Sequence, residues 1–477
     1  MGVDQPTETC PRCRLLAESL EGQSEQLRLQ AAQIEELKQQ VRDLKQKLDQ
    51  NSSNSSRPPS SDSPWHKRLS KLRTGRKPGG QPGHPGHSRA AFPPERVDKV
   101  VDHIPAKCSA CGKDLPQDAA RNSKPAVQQV AELPQVAATV TEHRAYACTC
   151  THCGETTRAE IPEDIRAHVI GPRLAALMSY LSAVCHTPRR GIKSFVETVL
   201  NIPVSLGTVA RYESKMSASL ERPYAAILEQ VRSESVLNLD ETTWRIAGDV
   251  CWLWTAAGRI STAFQIHGRR DKASLSALVG AFRGIATSDR FGIYHQFPLS
   301  RRQVCWAHLK RDFQKMVERG GLAQKFGNTG LEVCDGLFAA WKEFKAARIS
   351  RAELQQRIEP LRMKLNFALR GAQVADDSKL AFFARRLLNL NEALWNFTKV
   401  DGVEPTNNHA ERALRPGVIW RKVSFGSHSH AGCRFTERLL SVITTLRQQT
   451  RPIFDYLASA LSAYRLDQPV TFPIPTG

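Results

Sequence analysis

Val236-Leu237-Asn238-Leu239-Asp240 is a short apolar run closed by an acid, and it heads the segment that decides the fold. Together with Val250–Ala256 and Thr262–His267 it predicts three consecutive strands. A helix is expected over Lys272–Phe282. A strand along Gly284-Ile285-Ala286-Thr287-Ser288 should end at Asp289, and another should lie around Val304–Ala307.

Three strands, a helix and further strands is the element order of a ribonuclease-H-like α/β core, expected here over 226–320 and 401–450. Residues 321–400 divide it. Their apolar positions recur at helical spacing (Leu337, Trp341, Phe344, then Leu354, Ile358, Leu361, Leu365, then Phe383, Leu387, Leu394), which predicts an all-helical insertion. Ala431–Gln449 returns as a core helix with Phe435, Leu439, Val442 and Leu446 on one face, and 451–477 is a C-terminal tail.

Upstream, residues 166–225 read as helices. One opens at Gly171-Pro172 and runs to Val184, a second covers about Arg190–Leu200, and Ser205 can cap a third that ends at Leu220. The last two have the spacing of a helix-turn-helix, whose second helix would present Thr208, Arg211, Tyr212 and Lys215 to a major groove. A plain helical bundle is the competing reading. Residues 96–165 carry Cys108-Ser109-Ala110-Cys111-Gly112 and Cys150-Thr151-His152-Cys153-Gly154. Two thiolates two residues apart, then a glycine for the tight turn, make half of a tetrahedral zinc site, so Cys108, Cys111, Cys150 and Cys153 are expected to hold structural Zn²⁺. Cys148 is a spare thiol that could replace Cys150, and Val136–Tyr146 alternates as a strand would.

Residues 51–95 begin with Asn51-Ser52-Ser53-Asn54-Ser55-Ser56-Arg57-Pro58-Pro59, a flexible linker by composition, and continue as a basic arm with one acid, Asp62, between Arg57 and Arg89. Residues 1–50 hold the Cys10/Cys13 pair, to which no role is assigned, and a helix with Leu20, Leu27, Ile34, Val41 and Leu48 at one heptad position. That repeat predicts a coiled coil and hence a homo-oligomer. The fold class is therefore multidomain α+β: N-terminal coiled coil, zinc-knuckle domain, helix-turn-helix and ribonuclease-H-like core with a helical insertion.

The 67 Lys and Arg against 47 Asp and Glu give a net charge of +20, which points to a polyanionic partner, nucleic acid first. No stretch approaches the ~20 apolar residues of a membrane span, and the first residues lack a secretion signal, so a cytoplasmic, nucleoid-associated protein with no membrane partner is expected.

The acids carry the chemistry. Phosphodiester cleavage needs an activated nucleophile and relief of charge on the leaving oxygen, which two Mg²⁺ ions roughly 4 Å apart supply. Mn²⁺ can stand in. Asp240 at the end of the first strand could bridge both ions, Asp289 could share one, and Glu411, far downstream in Asn407-Asn408-His409-Ala410-Glu411-Arg412, could complete the other. Each acid also has a bland role. Asp240 could cap a turn, Asp289 could pair with Arg290, and Asn408-x-x-Glu411 could be a capping box. Glu241 alternates to the other face of its strand. Arg412, Arg415, Arg421 and Lys422 would face a DNA backbone if the last helix lines the cleft. Trp306 is expected to pack, and His308 is open between structure and a DNA contact.

Asp240-Glu241-Thr242, Ser288-Asp289-Arg290, Cys305-Trp306-Ala307-His308-Leu309-Lys310-Arg311-Asp312-Phe313 and Pro405-Thr406-Asn407-Asn408-His409-Ala410-Glu411-Arg412 resemble blocks of the insertion sequence 66 family of transposases. Trp420-Arg421-Lys422, Ser424-Phe425-Gly426 and Gly432-Cys433-Arg434-Phe435 do too, as do the N-terminal zipper, the Asn/Ser linker, Gly75-Arg76-Lys77-Pro78-Gly79-Gly80-Gln81-Pro82-Gly83-His84 and the cysteine knuckles, in the same order. The resemblance implies a DDE transposase with Asp240, Asp289 and Glu411 as its metal-binding triad. It also implies double-stranded DNA, both element ends and target, as substrate, and helper proteins encoded by the same element.

Overall fold

The structure is a computed structural model and describes residues 11–51, 55–57, 90–116, 125–133 and 138–472. Cys10, Val136 and the basic stretch 58–89 lie outside the described residues. The chain divides into two compact units, one of 1–68, 162–189 and 209–477, the other of 69–161 and 190–208.

In chain order the elements are α1 (Pro11–Leu48), β1 (Ala147–Thr149), β2 (Thr156–Arg158), α2 (Glu163–Arg166), α3 (Pro172–Ala183), α4 (Arg189–Val199), α5 (Leu206–Ser219) and α6 (Glu221–Ser233). Then come β3 (Val236–Ile246), β4 (Asp249–Ala257), β5 (Thr262–His267), α7 (Lys272–Val279), β6 (Ile285–Ser288) and β7 (Arg302–Val304). The remainder is helical: α8 (Trp306–Glu318), α9 (Gly321–Lys345), α10 (Arg351–Ala372), α11 (Ser378–Leu388), α12 (Asn408–Ser424), α13 (His430–Gln448) and α14 (Ile453–Arg465). The described chain is thus mixed α+β.

In the larger unit a five-stranded sheet has the order β5-β4-β3-β6-β7, with β3, β4 and β5 antiparallel and β3, β6 and β7 parallel. Two strands differ from expectation. β3 does not stop at Asp240 but runs on through Ile246, because Ala247 and Gly248, both at positive φ, turn the chain back as a hairpin into β4. The strand expected at Val304–Ala307 ends at Val304. Trp306 instead opens α8, its amide donating to Pro405 O and its Nε1 to Leu394 O, 2.8 Å each.

α13 covers the β5 edge with polar atoms. Glu437 Oε1 accepts the Ile266 amide (2.6 Å), Ser441 Oγ the Phe264 amide (2.9 Å) and Thr445 Oγ1 the Thr262 amide (3.1 Å). Side chains four residues apart on the helix thus meet alternate N–H groups of the strand, replacing a missing neighbour strand. At the opposite edge Asn396 Nδ2 donates to Arg302 O (2.6 Å) and Gln303 Nε2 to Val304 O (2.8 Å).

The insertion helices share one core with the sheet. Val304, Trp306, Leu309 and Phe313 pack with Leu337, Leu354, Ile358, Leu365, Phe383 and Leu387. Phe313 meets Phe326 and Phe383 edge-on at 5.8 and 6.1 Å. Part of the Asn/Ser linker is fixed rather than loose. Ser55 is buried with its Oγ on Asn51 O (2.7 Å), and Ser56 gives its amide and hydroxyl to Glu318 at 2.6 and 2.9 Å.

In the smaller unit β1 and β2 form an antiparallel pair. The strand expected over Val136–Tyr146 is absent from its described part, 138–146, and begins only at Ala147.

Candidate active site

β3 and β6 bring two of the predicted acids together. They run parallel with Asn238 opposite Thr287. Two residues further along each chain stand Asp240 and Asp289, so both side chains fall on one face. Asp240 Oδ1 accepts the Glu241 amide (2.9 Å), and Asp289 Oδ1 accepts the Phe291 amide (2.9 Å). Burial first, then the negative charges of Glu241, Glu411 and Asp289, push the Asp240 carboxyl up to about 8, against the pull of the Glu241 amide. Glu241 points away from this face. Its carboxylate is buried and committed to Arg270 (2.9 and 2.5 Å) and the Tyr294 hydroxyl.

The third acid arrives through the loop before α12. Asn407 Nδ2 donates to Leu239 O (2.8 Å), one residue from Asp240, and the Asn407 amide donates to Cys305 Sγ (3.1 Å). These bonds and the Trp306–Pro405 bond pin the start of α12 between β3 and the start of α8. Glu411, in the first turn of α12, then faces His308 in the first turn of α8, with Oε1 and Nδ1 3.7 Å apart. Cys305 Sγ joins them, all three ligand atoms lying within 4.8 Å of one another. Among the described residues it is the one such group of three or more metal-ligating side chains.

The bland roles are not taken up. Asp289 does not pair with Arg290, whose guanidinium goes to Asp312 at 2.5 Å. No side-chain cap bond forms at the start of α12, so Glu411 is not spent on a capping box. Burial and Arg311 hold His308 below the usual imidazole range, against the pull of Glu411 and Asp289. Burial also pushes the Cys305 thiol up to about 11.

The donor set fits divalent cations. Glu411 Oε1 and His308 Nδ1 are both buried with no hydrogen-bond partner among the described residues. An orphaned buried carboxylate oxygen is costly unless a cation takes up its lone pairs, though Asp240 and Asp289 lie outside the 4.8 Å group that Glu411 forms. Asp240, Asp289 and Glu411 would hold it through oxygen, as Mg²⁺ or Mn²⁺ requires.

The zinc expectation fares differently. Each knuckle is formed, with Gly112 and Gly154 at φ 71° and 73° and their amides donating to Cys108 O and Cys150 O at 2.9 Å. Amide N–H groups of Cys111 and Ala110 lower the Cys108 thiol, and those of Cys153 and His152 lower the Cys150 thiol. The four sulfurs are not gathered into one cluster, however, and Cys111, Cys148, Cys150 and Cys153 are exposed.

The predicted DNA contacts divide into free and committed side chains. Arg211, Arg412, Arg415 and Lys422 are exposed. Thr208 donates its amide to Ser205 Oγ (3.0 Å), the cap of its helix, and its hydroxyl also meets Ser205 Oγ, while Lys215 reaches Ala167 O at 3.1 Å. Tyr212 is corrected: it is 1% exposed and its hydroxyl accepts the Ile170 amide (3.0 Å), so it is core rather than groove contact. Arg421 binds β3 through the Thr242 and Thr243 hydroxyls and the Thr243 carbonyl, which ties α12 to the sheet. The expected helix-turn-helix elements exist as α4 and α5. The division between the two units passes through the first turn of α5.

Sequence reasoning placed Trp306 correctly in the core but missed the partnership of His308 and Cys305 with Glu411. The visible signal was Cys305-x-x-His308, a spacing that puts both at the opening of one helix once the strand is recognised as ending at Val304. Arg302 was also missed. It is fully buried behind Asp289 and donates from Nη2 to Asp289 O at 2.9 Å.

A sheet carrying clustered acids beside exposed arginines defines a class of protein suited to nucleic-acid processing. Comparison with known families gives the particular one: the model of the Transposase IS66 family matches residues 168–434, more than half of the 477, and the chain belongs to that family. Residues 5–90 match a Family of unknown function (DUF6444). Over 293 residues the chain is 25% identical to "Uncharacterized protein y4qI" of Sinorhizobium fredii (strain NBRC 101917 / NGR234), covering 55% of this chain and 53% of that one. Over 412 residues it is 24% identical to "Uncharacterized protein y4hP" of the same organism, covering 78% and 73%. The chain spans about half the length of the first of these relatives.

Proposed function

We propose that this transposase cuts and joins DNA by metal-dependent phosphodiester chemistry at Asp240, Asp289 and Glu411. What supports the reading is that Asp240 and Asp289 share one face of the sheet, while Glu411, on α12, lies close enough to add its charge to Asp240 and has Oε1 left unpaired. The strand order, third-second-first-fourth-fifth counted from β3, supports a ribonuclease-H-like reading of the sheet. When bound, a pair of Mg²⁺ ions (or Mn²⁺) activates the attacking water or 3′ hydroxyl and steadies the leaving oxygen. The protein's part is to hold the carboxylates at fixed spacing and to keep Glu241 out of the pocket through Arg270 and Tyr294. Exposed Arg412, Arg415 and Lys422, near Glu411 on α12, offer charge to the DNA backbone.

The partners follow from the same reading. Double-stranded element ends and target DNA are the substrates, and the work is done at the nucleoid. Helper proteins of the same element would act alongside. α1 exposes Leu20, Leu27, Ile34, Val41 and Leu48 along one heptad position, which supports a coiled-coil homo-oligomer. The two preformed knuckles support structural Zn²⁺ on the four cysteines once they close together.

The test uses labelled end DNA, a target plasmid and Mg²⁺ with the full chain. Asp240→Asn should abolish joined products while leaving binding to end DNA intact. Strand transfer retained by the variant would remove Asp240 from the mechanism. Wild-type nicking without joining would make the chain a nuclease.

A further inference from the structure

We propose that His308 is a further metal ligand of this site, donating Nδ1 alongside the Glu411 carboxylate, so that one cation sits in a mixed nitrogen–oxygen shell. The inference rests on the metal-dependent reading above and deepens it.

The geometry carries it. Nδ1 and Oε1 stand 3.7 Å apart, too far for a hydrogen bond. Both atoms are buried, and neither has another partner among the described residues. With the imidazole proton on Nε2, Nδ1 and Oε1 turn lone pairs toward each other, which is unfavourable unless something positive lies between them. Around an octahedral ion with ligands at 2.0–2.1 Å, adjacent ligand atoms are about 3.0 Å apart and opposite ones about 4.2 Å. The observed 3.7 Å lies between the two spacings, so Nδ1 and Oε1 would draw together by about 0.7 Å to take adjacent positions on one ion. His308 is also held in place. It follows Trp306, whose amide and indole are both tied down, and precedes Leu309, which is buried in the core. Its Cα is therefore held at a fixed place at the start of α8. Cys305, the nearest alternative donor, already accepts the Asn407 amide at 3.1 Å, and burial keeps its thiol protonated.

A nitrogen ligand changes metal preference. Imidazole binds Mn²⁺ and later transition ions more strongly than it binds Mg²⁺, which favours oxygen. The full chain should therefore bind Mn²⁺ more tightly than Mg²⁺, and the margin should shrink when His308 is replaced.

The experiment is pulsed electron paramagnetic resonance of Mn²⁺ on the full-length protein, with natural and ¹⁵N-histidine label. The expected result is a directly coordinated nitrogen coupling that changes frequency with the label. It should vanish in His308→Gln, with Mn²⁺ binding weakened at least about tenfold. Cys305→Ala should keep the coupling, which separates loss of the ligand from loss of local packing. Mn²⁺ bound in an Asp240-dependent manner but with no nitrogen coupling would overturn this inference and leave the triad standing. No Mn²⁺ bound by folded wild-type protein would overturn the triad reading itself.

Discussion

Glu437 is a buried acid with a structural task, and its titration can be followed. Its side chain is fully buried on α13, accepting the Ile266 amide and Arg434 Nη1 (2.8 Å). Burial outweighs the nearby arginines and raises its pKa from 4.5 to about 7. A carboxyl raised on folding binds its proton more tightly in the native state. The stability it contributes is full below about 4.5 and is lost as pH climbs to about 7. Glu437→Gln keeps an acceptor for Ile266 and cannot ionise. Denaturant melts of the two proteins should diverge over that window, wild type losing up to about 1.4 kcal/mol per pH unit relative to the variant. Parallel curves would place the proton elsewhere. At this scale the sequence was informative about acids and poor about cations. Asp240 and Asp289 stood out because each closes an apolar run. Tyr212 and Arg421 were misjudged because spacing gives a helix face but not what packs against it.

At the scale of elements, the approach of α9 to α8 depends on a glycine. A Cβ on Gly327 would lie 2.7 Å from Phe313 O and Val317 N, both backbone atoms of α8 that cannot swing aside. Alanine gains up to about 1 kcal/mol in helix propensity, but forcing the helices apart costs about 1–3 kcal/mol. Gly327→Ala should therefore be net destabilising, read as a lower melting temperature. Because α8 carries His308, Mn²⁺ binding should weaken as well; a melt at or above wild type would show that the helices can part freely. The long amphipathic helices α9, α10, α11 and α13 were legible, since their apolar period is sustained. α8 was not, because Val304-Cys305-Trp306-Ala307 is a short apolar run that fits a strand or a buried helix start equally. The far half of β3 was hidden too. Asp240-Glu241-Thr242-Thr243 looks like a turn, and only pairing with β4 and the Arg270–Glu241 contact make it sheet.

For the whole molecule, α1 makes the clearest demand. Leu27 and Ile34 are 66% and 51% exposed on a helix of 38 residues, a pattern that a partner helix would cover. Replacing both with Lys should shift the full chain to a single-copy mass in sedimentation velocity while leaving the catalytic unit folded. An unchanged mass would assign assembly to another surface. Among the described residues no helix is long and apolar enough to cross a membrane. The mixed α+β character of the chain was readable, because strand and helix periods alternate along it. The tie that pins the start of α12 to β3 and α8 was not, because it depends on Asn407 bridging residues more than a hundred positions away.

The helix that satisfies the outer amides of β5 also limits how copies can join. With polar side chains seated there, and Asn396 and Gln303 at the other margin, neither border offers a row of free groups to a strand from a second molecule. The five-stranded sheet is thereby spared the ribbon-to-ribbon growth that open sheets invite.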